Sequence, residues 1–369
     1  MKKSQKIVAV AMSGGVDSSV AALLLQRQGY QVIGVTMLQM DPCQKQEQIR
    51  QDAIRVSAEL KIDLYLVDMR IDFKREIIDP FLQEYLGGKT PNPCVHCNQK
   101  IKWGLLMEHG LSRGADFFAT GHYARIRQDP NSKRFLLCKA LDRQKDQSYA
   151  LWELTQPQLE KTLLPLGCFH KEEVRKLAAE LGLSSAGKHD SQEICFIEDD
   201  DYQQFIRKTV TSIEPGEIID RSGKVIGRHR GYPFYTIGQR KGLGIALGHA
   251  AYVVDIDPQR NRIQIGDRAD LLSDGLVAEK TNWISLPQPP VGMKVNVRIR
   301  YKDPGFAATI EAFEEDRIAI RFDQPRAAVT PGQSAVFFVD DCVLGGGIIV
   351  QAIHNRAISD SMSNGAGQF

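Results

Sequence analysis

The run Ala11-Met12-Ser13-Gly14-Gly15-Val16-Asp17-Ser18-Ser19 constrains this chain more than any other. Ile7-Val8-Ala9-Val10 before it is apolar and β-branched, the pattern of a buried strand. Val20 to Gln28 after it reads as a helix opened by Ser18 and Ser19 and closed by Gly29. Gly14 and Gly15 carry no Cβ, so backbone N–H groups in the turn can approach an anion. The N-terminal end of the helix attracts phosphate. The Gly-Lys-Ser/Thr ending of a Walker loop is missing. Asp17 is expected either to orient this loop or hold magnesium, or to cap the helix.

The same alternation continues to about residue 125. Val32-Ile33-Gly34-Val35-Thr36-Met37, Leu64-Tyr65-Leu66-Val67 and Phe117-Phe118-Ala119-Thr120 read as strands, with helices at Gln48 to Leu60 and Ile77 to Tyr85 between them. Strands alternating with helices imply a parallel sheet covered on both faces. Ligands then bind beyond the carboxyl ends of the strands. The loop at 11–19, Met37 and Thr120-Gly121-His122 converge there. From about residue 213 short alternating runs and turn residues suggest small all-β modules, with Leu286-Pro287-Gln288-Pro289-Pro290 as a stiff connection. The expected architecture is α/β: a catalytic parallel-sheet domain over 1–210, β-rich modules over 211–275 and 276–355, and a disordered tail over 356–369.

The chain has 369 residues, enough for several domains, and 47 basic against 45 acidic side chains. That balance rules out a simple polycation but not a local basic patch. Seven cysteines scattered through so long a chain do not look like a disulfide scaffold. No secretory leader, transit segment or membrane-spanning run is visible, so a cytoplasmic protein is expected.

Cys94-Val95-His96-Cys97 follows Thr90-Pro91-Asn92-Pro93. The two prolines predict an irregular loop, with a helix starting at Cys97. A thiol at a helix N-terminus beside Lys100 and Lys102 should have a lowered pKa. Cys195 lies in Ile194-Cys195-Phe196-Ile197, polar on one side and apolar on the other, as for a thiol at a pocket rim. Cys-x-x-Cys alone fits half a zinc site or a redox pair, and nothing completes a zinc set. His96 reads as a loop residue, and Cys43, Cys138, Cys168 and Cys342 as structural.

The phosphate loop resembles that of the PP-loop ATP pyrophosphatases, an adenine nucleotide alpha hydrolase-like fold. Taken together, the motifs resemble the bacterial tRNA-specific 2-thiouridylases nearly end to end. They are Ser13-Gly14-Gly15-Val16-Asp17-Ser18, Thr90-Pro91-Asn92-Pro93-Cys94 with Cys97-Asn98, Thr120-Gly121-His122-Tyr123-Ala124, Lys145-Asp146-Gln147-Ser148-Tyr149 and Ile194-Cys195-Phe196-Ile197. Thr236 to Gly244, Arg300-Tyr301, Pro331-Gly332-Gln333-Ser334 and Leu344 to Ile349 complete the set.

That resemblance implies a cytoplasmic sulfurtransferase making 2-thiouridine at the wobble position, U34, of tRNA. ATP would be held by Ala11, Met12, Ser13, Gly14, Gly15, Val16, Asp17, Ser18, Met37 and Gly121, with Mg²⁺ accompanying it. Cys97 would be the nucleophile and Cys195 the persulfide carrier, the two ending disulfide-linked. Asn92, Pro93 and Cys94 would meet the target base, and His122, Lys145, Asp146, Gln147, Arg300, Tyr301 and Gln333 would touch tRNA. Implied partners are the Lys, Glu and Gln isoacceptors and a cysteine desulfurase or sulfur-relay carrier, with no membrane. Tyr149, Trp152 and Tyr301 could stack on bases or be buried; Arg240 and Lys241 could meet the tRNA backbone or form a solvated face.

One departure opens an alternative. Many members of this family carry aspartate where this chain has Cys94. Related thiolating enzymes hold a 4Fe-4S cluster on three cysteines, and Cys94, Cys97 and Cys195 offer such a set. Functions from other classes are a PP-loop small-molecule synthetase and a non-catalytic RNA-binding protein.

Overall fold

The computed structural model describes residues 5–188, 194–197, 201–245 and 248–354. β1 (Ile7–Ala11) lies at the centre of a five-stranded parallel sheet, and Val8, Ala9 and Val10 are fully buried, as expected for a strand covered on both faces. α1 (Val16–Arg27), β2 (Gln31–Leu38), α2 (Gln44–Leu60) and β3 (Leu64–Asp68) follow. A helical run then passes through α3 (Arg70–Phe73), a π-helical turn Lys74–Ile78 and α4 (Asp79–Leu86). A second run joins α5 (Pro93–His96), a π-helical stretch Cys97–Leu106 and α6 (Met107–Leu111).

β4 (Phe117–Ala119), the hairpin β5 (Ala124–Gln128) and β6 (Phe135–Lys139), α7 (Gln156–Glu160), β7 (Thr162–Leu163) and α8 (Lys171–Glu180) complete this half. The strand order is β3-β2-β1-β4-β7. The chain winds outward to β3, then returns to the other side of β1. The loops after β1 and β4 therefore flank the switch point, where α/β sheets bind ligands.

α9 (Tyr202–Thr209) leads to a four-stranded sheet of β8 (Gly216–Ile219), β9 (Val225–His229), β10 (Tyr252–Asp257) and β11 (Arg262–Gly266). The last unit contains β12 (Leu272–Trp283), β13 (Lys294–Arg298), β14 (Phe306–Glu314), β15 (Arg317–Ala327), β16 (Ser334–Val339) and β17 (Cys342–Ile353). These pair antiparallel, and β12 with β17 closes them into a barrel. Closure leaves no open edge between them.

Four sequence expectations need correction. First, the helix expected at Cys97 begins at Pro93, with Asn92 as its N-cap. Proline is tolerated at the first helical position, where its missing N–H has no intrahelical partner anyway. Second, α1 starts at Val16 rather than at Ser18, and its N-cap is Gly15. Asp17 therefore lies inside the first turn and is not the cap. Third, β5 and β6 add to the barrel sheet beyond β17, so a hairpin from the first half extends the last unit. Fourth, Cys138 and Cys342, opposed across that β6–β17 pairing, form a disulfide, where the sequence suggests a structural role for both but no such bond. The expected tail at 356–369 lies outside the described residues.

Candidate active site

The phosphate loop is built from its neighbours inward. Met12 N donates to Val35 O at 2.8 Å, and the buried Thr36 hydroxyl donates to Met12 O at 2.7 Å. Ser18 Oγ accepts from Ser13 N at 3.2 Å and donates to Gly15 O at 3.1 Å. Gly14 has φ +69°, and a Cβ there would lie 2.4 Å from Asp52 Cβ, so both its conformation and its packing require glycine. Gly15 offers no side chain to the first-turn amides of α1. Those amides and the helix dipole are what an anion needs.

Gly121 closes the other wall. A Cβ there would lie 2.7 Å from Asp17 C and Ser18 N. The Asp17 carboxylate accepts from Lys171 Nζ at 2.7 and 2.8 Å and from the Tyr123 hydroxyl at 2.8 Å. Its oxygens thus tie the start of α1 to α8 and to the stretch after β4. Met37 stands half-buried near the end of β2.

The thiols form a second centre. Cys97 lies one helical turn beyond Cys94 and is 6% exposed. Burial pushes its thiol up to about 12, with Lys102 opposing and any charge on Cys195 or Cys94 adding to the rise. This reverses the lowered value expected from the sequence. Cys97 sits inside the helix and not at its end, so desolvation outweighs the lysine. Cys94 presents surface to solvent, yet protein surrounds it closely enough for burial to raise its thiol as well, and a charge on Cys195 would raise it further. Cys195 is half-buried. A charge on Cys195 would thus act on both Cys94 and Cys97.

A consequence is directly measurable. At about pH 8, a thiol of pKa about 12 is ionised in only about one part in 10⁴. Alkylation by iodoacetamide, followed by peptide mass spectrometry, is expected to label Cys94 well before Cys97. Equal labelling rates would contradict this order.

Lys102 connects the two centres. It donates to Asn98 Oδ1 at 2.9 Å, and its charge acts on Cys94, Cys97 and His122. His122 follows Gly121, packs 5.2 Å from the Trp103 ring and pairs its Nδ1 with Thr120 Oγ1 at 2.7 Å. Burial, with Lys102 adding, holds this imidazole well below the usual range, so it is neutral at pH 7.

The barrel reaches the same place. Gln333 Nε2 donates to Thr90 O and Pro91 O, each at 3.0 Å. Tyr301 is 43% exposed, and charges on Asp146 and Cys94 help raise its phenol, after burial. Arg300 is exposed and donates to Ala328 O at 3.0 Å. A cavity of about 380 Å³ opens between Thr90, Thr236, Gln239, Arg300 and Gln333, and so between all three units.

Asp146 is buried, and Gln147 Oε1 accepts from Tyr123 N at 2.9 Å. Lys145, between exposed Gln144 and Asp146, is half-buried. Tyr149 and Trp152 are fully buried and unavailable for stacking on bases. Arg240 and Lys241 are exposed on a turn whose Gly238, Gly242 and Gly244 all have positive φ. His96 pairs with Glu153 at 3.3 Å, and Cys168 is exposed at the end of a short 3₁₀ turn. Sequence reasoning missed Lys171, Lys188, Asp52 and Tyr123. Their contacts with the loop span tens of residues or more; no local motif marks the first three, and Tyr123 stands in a motif that assigns it no role.

A phosphate loop at the switch point of a parallel sheet, linked through His122 and Lys102 to cysteine thiols, defines an enzyme of the PP-loop ATP pyrophosphatase class. Family comparison agrees. Residues 6–199 match the model described as tRNA methyl transferase HUP domain, 203–267 the tRNA methyl transferase PRC-barrel domain and 273–349 the aminomethyltransferase beta-barrel domain. The chain is 47% identical to the tRNA-specific 2-thiouridylase MnmA of Lachnoclostridium phytofermentans, over 94% of this chain and 100% of that one. It is 45% identical to the enzyme of that name from Chlorobium phaeobacteroides (96% and 99% covered) and 47% to that from Moorella thermoacetica (92% and 98% covered). The chain belongs to the tRNA-specific 2-thiouridylase family.

Proposed function

We propose that this enzyme converts the wobble uridine of tRNA to 2-thiouridine, using ATP and a persulfide. The supporting observation is one continuous path of side chains. Gly121 packs on the phosphate loop, His122 follows it, and Lys102 acts on His122 and on Cys94 and Cys97 alike. A base held at Asn92-Pro93-Cys94 would have ATP on one side and sulfur on the other.

The chemistry follows from the leaving group. Oxygen on C2 of uracil departs poorly. The C2 oxygen therefore attacks the α-phosphorus of ATP, pyrophosphate leaves, and the oxygen carries AMP. Amides of the loop and the α1 dipole stabilise the charge that develops on pyrophosphate. The terminal sulfur of a Cys195 persulfide attacks C2, and AMP departs. The Cys97 thiol gives its proton to solvent and attacks the inner sulfur, which releases the thiocarbonyl. A Cys97–Cys195 disulfide remains, and an external thiol must reduce it. A wobble base already sits in a loop, so extruding it costs only a few kcal/mol.

Asp17 and Asp52, the carboxylates beside the loop, are each paired with a lysine. Mg²⁺ would therefore enter and leave on the phosphates of ATP. The 4Fe-4S alternative fits less well. Among the described residues, no three or more His, Cys, Asp or Glu side chains are grouped so as to hold a metal ion. Substrates of this reading are the cytoplasmic Lys, Glu and Gln isoacceptors, with a cysteine desulfurase or relay carrier as sulfur donor. Among the described residues no helix is long and apolar enough to cross a membrane.

The test is sulfur incorporation into unmodified tRNA transcripts with U34 or C34, given ATP and a sulfur donor, with iron analysis of anaerobically purified enzyme. Sulfur in the U34 transcript alone, without iron, is the expected result. No incorporation in any preparation sinks the function. About four iron per chain, with loss of activity in air, would replace the persulfide by a cluster.

A further inference from the structure

Lys188 holds the backbone of the phosphate loop directly, and the reaction above does not use it. Its ammonium donates to Gly14 O at 3.1 Å and makes a close ion pair with Asp52. Asp52 is 6% exposed on α2 and also accepts from Gln48 Nε2 and Arg55 Nη2, each at 3.0 Å. Burial alone would raise this carboxyl. The hydrogen bonds from Lys188 and Gln48, with the charges of Lys188 and Arg55, overcome burial and hold it below the usual carboxylate range. Asp52 is thus a fixed anion at neutral pH. The backbone of Lys188 is fixed as well, because Arg175 of α8 donates to its carbonyl at 3.0 Å.

The contact falls on an informative peptide. No described peptide bond is cis, so the Gly14 carbonyl and the Gly15 N–H point in opposite directions within one plane. Lys188 takes the carbonyl. The Gly15 N–H faces Ser13 Oγ at 3.4 Å, and that hydroxyl is 3.2 Å from Ser18 Oγ at the start of α1. The N–H is thus on the side where an anion would sit. A peptide between two glycines turns over easily, since neither residue has a Cβ to favour one orientation. A cation on one face selects the orientation that presents the N–H to the other.

We propose that Lys188, anchored by Asp52, is a positioning residue for the β- and γ-phosphates of ATP. It locks the Gly14–Gly15 peptide with its N–H turned into the phosphate site. This rests on the loop's being the ATP site, as above. α8 then braces the loop from both sides: Lys171 at its start holds Asp17, and Arg175 holds the backbone of Lys188. Lys188 also lies seven residues before Cys195, so one stretch of chain carries both a loop anchor and a reactive thiol.

The test is calorimetric binding of ATP, pyrophosphate and adenosine to the full-length protein, beside its melting temperature. Losing a charge-assisted hydrogen bond that orients a binding amide is expected to weaken ATP and pyrophosphate by about 10- to 100-fold in Lys188→Met. Adenosine, which has no phosphate, should bind as before. Lys188→Arg should retain most of the affinity. Asp52→Asn should weaken pyrophosphate in the same direction and add little on top of Lys188→Met, because the two act through one contact. Unchanged pyrophosphate affinity in Lys188→Met overturns the proposal. Equal losses for adenosine also overturn it, since they would mark general damage to the site. If the wild-type protein binds neither ATP nor pyrophosphate, the ATP-dependent reading falls with it.

Discussion

Serine at Cys195 is expected to stop tRNA thiolation, by at least about 10³-fold, while pyrophosphate release from ATP continues for a single turnover. A hydroxyl cannot carry a persulfide, but the phosphate loop that activates the base is untouched by the change. Adenylated tRNA should therefore accumulate at about one equivalent per enzyme. Cys97→Ser should also block product, at a later step, because sulfur would reach C2 and remain bridged to Cys195. Cys94→Ser separates the two chemistries. In the persulfide route it retains activity; in a cluster it is as damaging as the other two. The pH dependence has a definite sign. Cys97 must lose a proton before it attacks, and its thiol is held at about 12. Below that value the thiolate fraction rises about tenfold per pH unit. Single-turnover release of thiolated tRNA should climb with pH across the neutral range. A flat profile would mean that Cys97 does not attack as a thiolate in the rate-limiting step.

The sheet and its phosphate loop were legible because their signals are local. Ile7 to Gly29 carries a strand, a glycine turn and a helix in one continuous run, and the structure places them so. Gly121 and Met37 were placed at the same end by strand alternation alone. Cys94, Cys97 and Cys195 stand out in motifs, and a charge on Cys195 would act on the other two. What failed was of two kinds. Proline at a first helical position looks in the sequence like a helix breaker, which puts the expected helix start four residues late and gives the Cys97 thiol the opposite sign of shift. Contacts between distant segments were invisible: β6 against β17, Lys171 against Asp17 and Lys188 against Asp52. A lysine destined to brace a loop more than 150 residues away looks in the sequence like any lysine on a helix or a turn.

Asp146→Ala should destabilise the protein by about 3–5 kcal/mol, because it leaves the Arg298 cation, only 14% exposed, and two backbone amides without their acceptor. The side chain is 1% exposed and accepts from Arg298 Nη1 at 3.2 Å. It also accepts from Ala140 N at 3.0 Å, Ser148 N at 3.2 Å and Ser148 Oγ at 2.9 Å. One carboxylate thus shapes the loop from 140 to 148 and ties it to β13 of the barrel. Asp146→Asn keeps the shape and part of the bonding, so it should cost less. Arg298→Met combined with Asp146→Leu should cost less than Asp146→Ala alone, since no unpaired charge remains. Urea unfolding midpoints decide this, and a loss below about 1 kcal/mol for Asp146→Ala would refute the buried-pair account. The same variant shows how this loop could serve tRNA. Buried as it is, Asp146 would act on RNA by holding Lys145 and Gln147 in place. Lys145→Ala should lower the slope of log affinity against log salt by about one, the mark of a lost phosphate contact. Asp146→Ala should weaken tRNA binding and lower that slope in the same direction, because Lys145 loses its place. If Asp146→Ala leaves the slope unchanged while Lys145→Ala lowers it, the carboxylate does not hold the lysine on the phosphate; if neither changes it, the loop meets tRNA through bases and sugars.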